Sequence, residues 1–490
     1  MVIKQVIIIG SGFAGLSAAA FMAKAGWKVT VLEKNDQPGG RARQWKSDGF
    51  TFDMGPSWYW MPDVFERYFA QFGKSVTDYY TLERLDPSYR VYWPEGPMDI
   101  PASLPALQRL FESIEPGSAT RLQQFMDEAA FKYRVGVQRL VFKPGQSLTE
   151  FLDWEVIKGV FKLDVFTSMK QHVHKFFKDP RLRQLMEFPV LFLGAMPEQT
   201  PALYSLMNYA DVVGGTWYPK GGMYAIVDGM YRLALELGVE FRFNEAVTSI
   251  ELSASAVKSV TTSLGTYIAD VVIGGADYHH IETALLPASH RSYSDLYWDS
   301  RTMAPSSLLF YIGLNKKLEN VQHHTLFFDT PFEAHAKEIY QNHQWPEAPL
   351  FYMCTTSVTD DTVAPPGHEN LFLLMPVAAG LKGDTTALRE KYFNQIIGRL
   401  EKNIGQSVKD AVVLKRSFAL EDFKNDYHSF KGNAYGLANT LKQTANLKPN
   451  CRSKKVKNLF YTGQLTVPGP GVPPSLISGE VVAKEVIRNF

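Results

Sequence analysis

Val6-Ile7-Ile8-Ile9 is a short, unbroken apolar run closed by Gly10, the pattern of a parallel strand covered on both faces. The alanine-rich stretch from Ala14 to Ala25, stopped by Gly26, predicts a helix, and Val29-Thr30-Val31-Leu32 predicts a second strand. These pieces make one complete strand, helix, strand unit. Strand-like runs return at 240–243, 248–252, 271–274 and 459–462, too late for a simple N-terminal domain. The sheet that begins the chain is therefore expected to be completed from distant segments. Between those segments lie a helix-rich stretch, about 100–212, and a mixed stretch, about 288–415, with strands expected at 308–312, 350–353 and 371–375. No repeat and no low-complexity tract interrupts them.

Gly10-Ser11-Gly12-Phe13-Ala14-Gly15 spells GxGxxG between the first strand and the helix. In that position Gly10 makes the tight turn, Gly12 lets the backbone approach a pyrophosphate, and Gly15 permits close helix-to-strand contact. The helix N-terminus offers free N–H groups and partial positive charge to the phosphates. Glu33 follows the second strand, where a carboxylate can accept hydrogen bonds from a ribose diol.

Composition narrows the class further. An apolar share of 45% with 21% charged residues excludes a mainly disordered or collagenous chain. The net charge of +1 gives no reason to expect nucleic acid. Cys354 and Cys451 are too few for a disulfide framework, which fits a reducing compartment. The first residues run straight into a strand, so no secretion signal is expected. The longest nearly uncharged apolar stretch, 188–196, is half the roughly 20 residues a membrane span needs.

After Glu33-Lys34 comes Gly39-Gly40-Arg41-Ala42, and then Gly49-Phe50-Thr51-Phe52-Asp53-Met54-Gly55-Pro56. This resembles the flavin-binding signature of the amine-oxidase and carotenoid-desaturase superfamily. The likeness continues through Tyr218-Pro219-Lys220-Gly221-Gly222-Met223, Phe243-Asn244-Glu245-Ala246-Val247 and the segment Ala269 to Asp277. It ends in Leu459-Phe460-Tyr461-Thr462-Gly463 and the Gly/Pro loop leading to Val472-Pro473-Pro474, where a helix through Val486 is expected. With Phe52 to Asp63, the chain resembles bacterial-type carotenoid desaturases, of the phytoene desaturase kind, from end to end.

That resemblance implies an α/β fold: a discontinuous Rossmann-type FAD-binding domain (1–84, 213–287, 416–490), a mixed-sheet substrate domain (288–415) and a helical, membrane-facing part (85–212). It implies FAD held by Gly10, Gly12, Phe13, Ala14, Gly15, Glu33, Lys34, Gly40, Arg41, Gly55, Pro56, Ser57, Val247, Asp277, Gly463, Gln464, Gly471, Val472 and Pro473. Arg41 would lie against the pyrophosphate and flavin edge, and the main chain at Val247 would face adenine. The last helix would point its N-terminus at the flavin pyrimidine, where negative charge develops on reduction. Many relatives carry His just before the Pro-Gly of the last loop; this chain has Val467, so no acid or base role for such a histidine is open to it.

The implied reaction removes a hydride from one carbon of an isoprenoid chain and a proton from its neighbour, with phytoene taken toward lycopene. A later carotenoid desaturated at its 3,4-bond, a carotenoid isomerase and a non-catalytic flavin or carotenoid carrier are the alternatives. Trp58, Tyr59, Trp60 and Trp217 are aromatic faces either for a developing allylic cation, Trp58 and Trp217 foremost, or for plain packing. No carboxylate pair or His–Asp arrangement identifies a proton acceptor, which leaves water or a carbonyl near the flavin. His279-His280 and His323-His324 are adjacent pairs that point apart on a helix or strand, so no metal site is expected. Oxygen or a quinone would reoxidise the flavin.

A C40 hydrocarbon is insoluble, so its enzyme must draw it from a bilayer. Val156, Val160, Leu163, Phe166, Met169, Val173 and Phe176 recur at helical spacing within a segment, 151–178, of net charge +2. Such a stripe either lies on anionic lipid or packs on the protein's own core. Residues 188–194 would line the substrate tunnel or complete the membrane face. The expected location is peripheral, on the cytoplasmic side of the membrane.

Overall fold

Three separated stretches of chain build one five-stranded parallel sheet, in the spatial order Leu459–Tyr461, Val271–Gly274, Gln5–Ile9, Lys28–Leu32 and Glu240–Arg242. This is a computed structural model, and it describes residues 3–147, 167–440 and 443–490. The central strand pairs Ile7 with Val272 on one side and with Thr30 on the other. Its Val6 and Ile8 are wholly buried, as the unbroken apolar run requires. A helix, Phe13–Lys24, crosses from the first strand to the second and buries nearly all of its residues, because a second helix, Val472–Asn489, packs along it. A Cβ on Gly479 would stand 2.3 Å from Ala14 O, so only glycine allows that approach.

The second sheet has seven strands in the order Val412–Phe418, Ser306–Leu314, Glu369–Val377, Phe351–Cys354, His324–Phe327, Tyr89–Trp93 and Gly96–Ile100. It is antiparallel except where His324–Phe327 runs parallel to Tyr89–Trp93. Alternation sorts its residues. Leu308, Phe310, Ile312, Leu371 and Leu373 form a core under the helix Thr386–Ile404, whose Ile396, Ile397 and Leu400 are fully buried. Leu309, Leu326, Tyr352 and Leu374 point to the opposite side, toward the parallel sheet. A smaller three-stranded sheet begins at Val247.

The strands expected near 308–312, 350–353 and 371–375 are present and longer or shifted by a residue or two. Tyr89–Trp93, Gly96–Ile100, His324–Phe327 and Val412–Phe418 join the same sheet without a matching expectation. Tyr89–Trp93 and Gly96–Ile100 form a local hairpin that joins the sheet only through the distant His324–Phe327, and Val412–Phe418 pairs with the distant Ser306–Leu314.

The helical layer includes Leu104–Ile114, Ser118–Gln138, Met169–Phe176 and Pro180–Glu187. The apolar stripe from Val156 to Phe166 lies outside the described residues. Its continuation packs inward: Met169 and Val173 are wholly buried in the main core. Phe188 and Val190 are buried too. Among the described residues, no helix is long and apolar enough to cross a membrane.

Candidate active site

The C-terminal ends of the parallel strands and the inner face of the seven-stranded sheet enclose a cavity of about 470 Å3. One end is built of glycine turns and charged groups; the other is apolar. All of the residues expected to hold the cofactor line it except Gly15, and Trp58 lines it as well.

At the first turn Gly10 adopts φ +96°, and a Cβ there would meet Ala276 N at 3.1 Å. Gly15 sits behind the turn, where a Cβ would stand 2.0 Å from Gly10 O; its role is the close approach and not the lining. A Cβ on Gly12 would have no neighbour within 4 Å, because that side opens into the cavity. Gly12 caps the helix with no side-chain hydrogen bond, so the first-turn N–H groups remain for a ligand.

Glu33 is 4% exposed and accepts hydrogen bonds from Ser11 N at 2.8 Å, Ser11 Oγ at 2.7 Å, and Asn35 N and Nδ2 at 3.0 Å. A ribose hydroxyl would take the place of the Ser11 hydroxyl or the Asn35 amide on that carboxylate. Lys34 Nζ donates to Asn425 O at 2.6 Å, and burial lowers its pKa. Val247 opens its strand at the cavity wall, next to Ala246.

Arg41 donates to Ser429 Oγ at 2.9 Å and lies 5.3 Å from the Tyr427 ring. Its Nη2 also reaches Asn433 O at 3.4 Å, its Nε is buried with no hydrogen-bond partner, and the carboxylate that acts on its charge is Asp277. A guanidinium left in that state suits an anion delivered by a ligand. Gly40 approaches Gly12, and a Cβ on Gly55 would stand 2.4 Å from Arg41 O. Asp277 takes hydrogen bonds from His280 N and Phe430 N, both at 3.1 Å, and burial raises its carboxyl. At the far end of the chain Gly463 N donates to Ser478 Oγ, and Gln464 Nε2 donates to Asn433 Oδ1. The C-terminal helix starts at Val472 with Pro473 in its first turn and no side-chain cap, so its N-terminus also faces the cavity. Two uncapped helix ends, glycines that leave room for phosphate, a buried guanidinium with a free Nε and a buried carboxylate together fit FAD.

The apolar end is lined by Phe188, Met207, Leu326, Phe328, Phe332 and Ile339. Burial pushes His335, which also lines it, down to about 4, and both of its nitrogens are engaged, with Pro376 O and Leu350 N. Ser307 and Tyr435 place two hydroxyls in this lining.

Two aromatic expectations part company. Trp58 lines the cavity and stacks face to face on His324, with ring centroids 4.1 Å apart and 9° between planes. Trp217 does not reach the cavity. Its indole Nε1 donates to Gly214 O at 2.9 Å, and the Arg84 guanidinium lies 5.7 Å from its ring. Its backbone is beside Tyr59, and its side chain packs against Gly214 and Arg84 and not along the cavity.

The histidine doublets also differ. His279 packs on Phe430 and His280 stacks on His428, so that pair does point apart. His323 and His324 have ring centroids 4.5 Å apart. Strand alternation fails for them because His323 precedes the strand that begins at His324, and its ring turns onto Tyr218. With Cys354 they bring three potential ligand atoms within 4.8 Å of one another, all buried. Their Nδ1 atoms are already engaged, with Thr359 Oγ1 at 2.8 Å and Tyr352 Oη at 2.6 Å. Burial pushes the Cys354 thiol up to about 12, which keeps it protonated.

A family model described as flavin containing amine oxidoreductase matches residues 13–487. A carotenoid 3,4-desaturase of Haloarcula japonica is 41% identical over 489 residues, covering 99% of each chain. A zeta-carotene-forming phytoene desaturase of Myxococcus xanthus is 31% identical, covering 99% of this chain and 94% of its own. A 4,4'-diapophytoene desaturase of Staphylococcus haemolyticus is 30% identical, covering 99% of each chain. Among solved structures, an oxidoreductase from Methanosarcina mazei superposes with a TM-score of 0.63 at 15% identity, over 98% of this chain and 100% of its own. At that identity the likeness concerns the fold.

Proposed function

The chain belongs to the flavin-containing amine oxidoreductases, and we propose on that premise that it is an FAD-dependent carotenoid desaturase acting on a late carotenoid at its 3,4-bond. The observation that carries this reading is the full-length 41% identity to a carotenoid 3,4-desaturase, against 31% and 30% for the phytoene and diapophytoene enzymes. The apolar half of the cavity suits a polyene, and the Ser307 and Tyr435 hydroxyls offer partners to a hydroxylated end group. Phytoene taken toward lycopene is the second reading, for which the 31% identity to a zeta-carotene-forming phytoene desaturase supports the substrate.

Bound FAD supplies the two-electron acceptor for a hydride. The chain does the rest. Gly10, Gly12 and Arg41 would hold the pyrophosphate, and Glu33 the ribose. The N-terminus at Val472 would favour negative charge on a bound flavin. Phe188, Leu326 and Phe328 align the polyene and keep water from the reacting bond. Oxygen or a quinone would serve as the electron acceptor. The substrate is drawn from the cytoplasmic face of a bilayer, on which the protein rests peripherally; the insolubility of carotenoids and the stripe from Val156 to Phe176 support this.

One experiment addresses both parts. Purified holoprotein is floated with anionic liposomes carrying phytoene, lycopene or a 1-hydroxylated carotenoid, and the products are separated by chromatography. Flotation with the vesicles and one added double bond in the hydroxylated compound are expected. Conversion of phytoene alone moves the assignment to the second reading, and activity without flotation removes the membrane from it.

A further inference from the structure

Where the cofactor end of the cavity gives way to the apolar end, the wall holds a buried hydroxyl, Ser307 Oγ, with no hydrogen-bond partner. We propose that Ser307 and Tyr435 are the specificity-determining pair of this cavity: together they bind a hydroxyl on the carotenoid end group, exclude the hydrocarbon end and so set the 3,4-bond at the cofactor. This rests on the desaturase reading and deepens it.

Ser307 is the second residue of the strand Ser306–Leu314 and shares the inner face with Leu309. It is 1% exposed, and its surroundings do not satisfy it. The residue paired with it across the strands is Pro376, which has no N–H to give, and the Pro376 carbonyl is already engaged with His335 Nε2 at 3.0 Å. Pro305, Leu309 and Leu374 are apolar neighbours in the same wall. A buried hydroxyl left unpaired costs stability, so one kept at a ligand cavity is available to the ligand. Tyr435 brings a second hydroxyl to this wall from a distant stretch of chain. Burial pushes it up to about 12, against the pull of the Ser307 hydroxyl, so it is a neutral donor. The two hydroxyls lie near each other without closing a bond, the spacing that suits a third hydroxyl between them.

Their place in the fold links them to the reacting bond. Ser307 is two positions from Leu309, about 7 Å along the strand. Leu309 pairs with Leu374, and Leu374 with Tyr352, whose hydroxyl donates to Ser57 Oγ at 3.0 Å. Tyr435 comes two positions after Asn433, whose Oδ1 accepts from Gln464 Nε2 at 3.0 Å. Ser57 and Gln464 both belong to the cofactor end. A hydroxyl held by the pair is therefore anchored beside that end. In a carotenoid hydroxylated on C1, the 3,4-bond begins two carbons further on and lies within about 4 Å of the anchored carbon. The rest of the polyene then runs into the apolar end, along Phe188, Phe328 and Phe332. A chain with no hydroxyl has no such anchor and slides, presenting one bond as readily as another.

The substrate hydroxyl donates to Ser307 Oγ and accepts from the Tyr435 O–H, which pairs all three groups. A hydrocarbon end in the same place covers both hydroxyls and pairs neither. A site built around a substrate hydroxyl rejects the analogue lacking it far more strongly than an apolar pocket rejects one methylene. Discrimination of that kind is beyond the phenylalanines and leucines of the apolar end, which grip either chain alike. The pair binds and orients; no proton or electron of the reaction passes through it.

The test uses the holoenzyme and liposomes carrying either a 1-hydroxylated carotenoid or the same polyene without the hydroxyl. The wild-type protein should favour the hydroxylated compound by about 100-fold in kcat/KM and place the new bond at the 3,4-position. Ser307→Ala and Tyr435→Phe should each keep full FAD content, narrow that ratio by about tenfold or more through a raised KM for the hydroxylated compound, and spread the new bond to other positions. Ser307→Ala removes a single oxygen and keeps the test open if Tyr435→Phe fails to fold. A second readout needs no turnover: with the flavin reduced beforehand, titration of the polyene absorption should show the same loss of affinity for the hydroxylated compound alone. An unchanged ratio, or a fall shared equally by both compounds, overturns the pair and leaves the desaturase reading standing. A wild-type protein whose flavin is reduced by no carotenoid overturns the desaturase reading, and the pair with it.

Discussion

A Gly12→Asp protein is expected to fold normally and to be colourless. The backbone of Gly12 has φ −68° and ψ 176°, open to any residue, and a Cβ there meets nothing within 4 Å. A carboxylate at that position can even cap the helix Phe13–Lys24, which lacks a side-chain cap, so the FAD-free protein should be as stable as the parent or more so. The same carboxylate would stand against the pyrophosphate. Like charges forced together cost several kcal/mol, here about 4, which is roughly a thousandfold loss of FAD affinity. Flavin titration of the FAD-free protein, with thermal melts of both forms, separates the two effects. Normal yellow colour after purification would mean that the phosphates lie elsewhere. Gly15→Asp makes the contrast: its Cβ would meet Gly10 O at 2.0 Å, so folding and not only binding should fail.

Glu480→Gln should lower stability by about 1 kcal/mol, because it removes the charge of a buried carboxylate whose two cationic partners, Arg67 and Lys484, remain open to solvent. The Glu480 side chain is fully buried and receives both arms of Arg67, at 2.7 and 2.8 Å, and Lys484 Nζ at 2.6 Å. Arg67 belongs to the helix Pro62–Ala70, which follows the aromatic loop at Trp58, while Glu480 belongs to the helix whose N-terminus faces the flavin site. The pair therefore joins two walls of the cavity from opposite ends of the chain. Burial alone would raise the Glu480 carboxyl, but Arg67 and Lys484 hold it below the ordinary 4.5. A carboxyl depressed in the folded state stabilises above its unfolded pKa and ceases to as pH falls through its folded one. The urea midpoint of the Gln protein should accordingly lie below that of the parent at neutral pH, with the gap narrowing below pH 4.5. A constant gap across that range would show that packing, and not charge, explains the loss.

The cofactor end of the cavity was legible in the sequence because each of its parts is local. Gly10 to Gly15, Glu33, Gly39 to Arg41 and Gly471 to Pro473 are short runs whose spacing alone dictates a turn, a close approach or a helix start. The hydrogen bond from Tyr352 Oη to Ser57 Oγ was not legible, because the two residues are 295 positions apart and meet only in the folded chain. His324 was visible only as half of a doublet, and alternation within an ideal strand gave it the wrong relation to His323. Trp217, which the resemblance set near the flavin with Trp58, has an indole whose direction depends on Gly214 and Arg84, contacts that no motif reveals.

The central claim is that this cavity holds FAD and that a carotenoid in its apolar half reduces it. The most direct measurement is rapid anaerobic mixing of the holoprotein with carotenoid-loaded liposomes, followed at the absorbance of oxidised flavin and at that of the lengthening polyene. Flavin bleaching and polyene growth with one shared rate constant, one double bond per flavin, is the expected result. A flavin that stays oxidised while every carotenoid offered is recovered unchanged would contradict it.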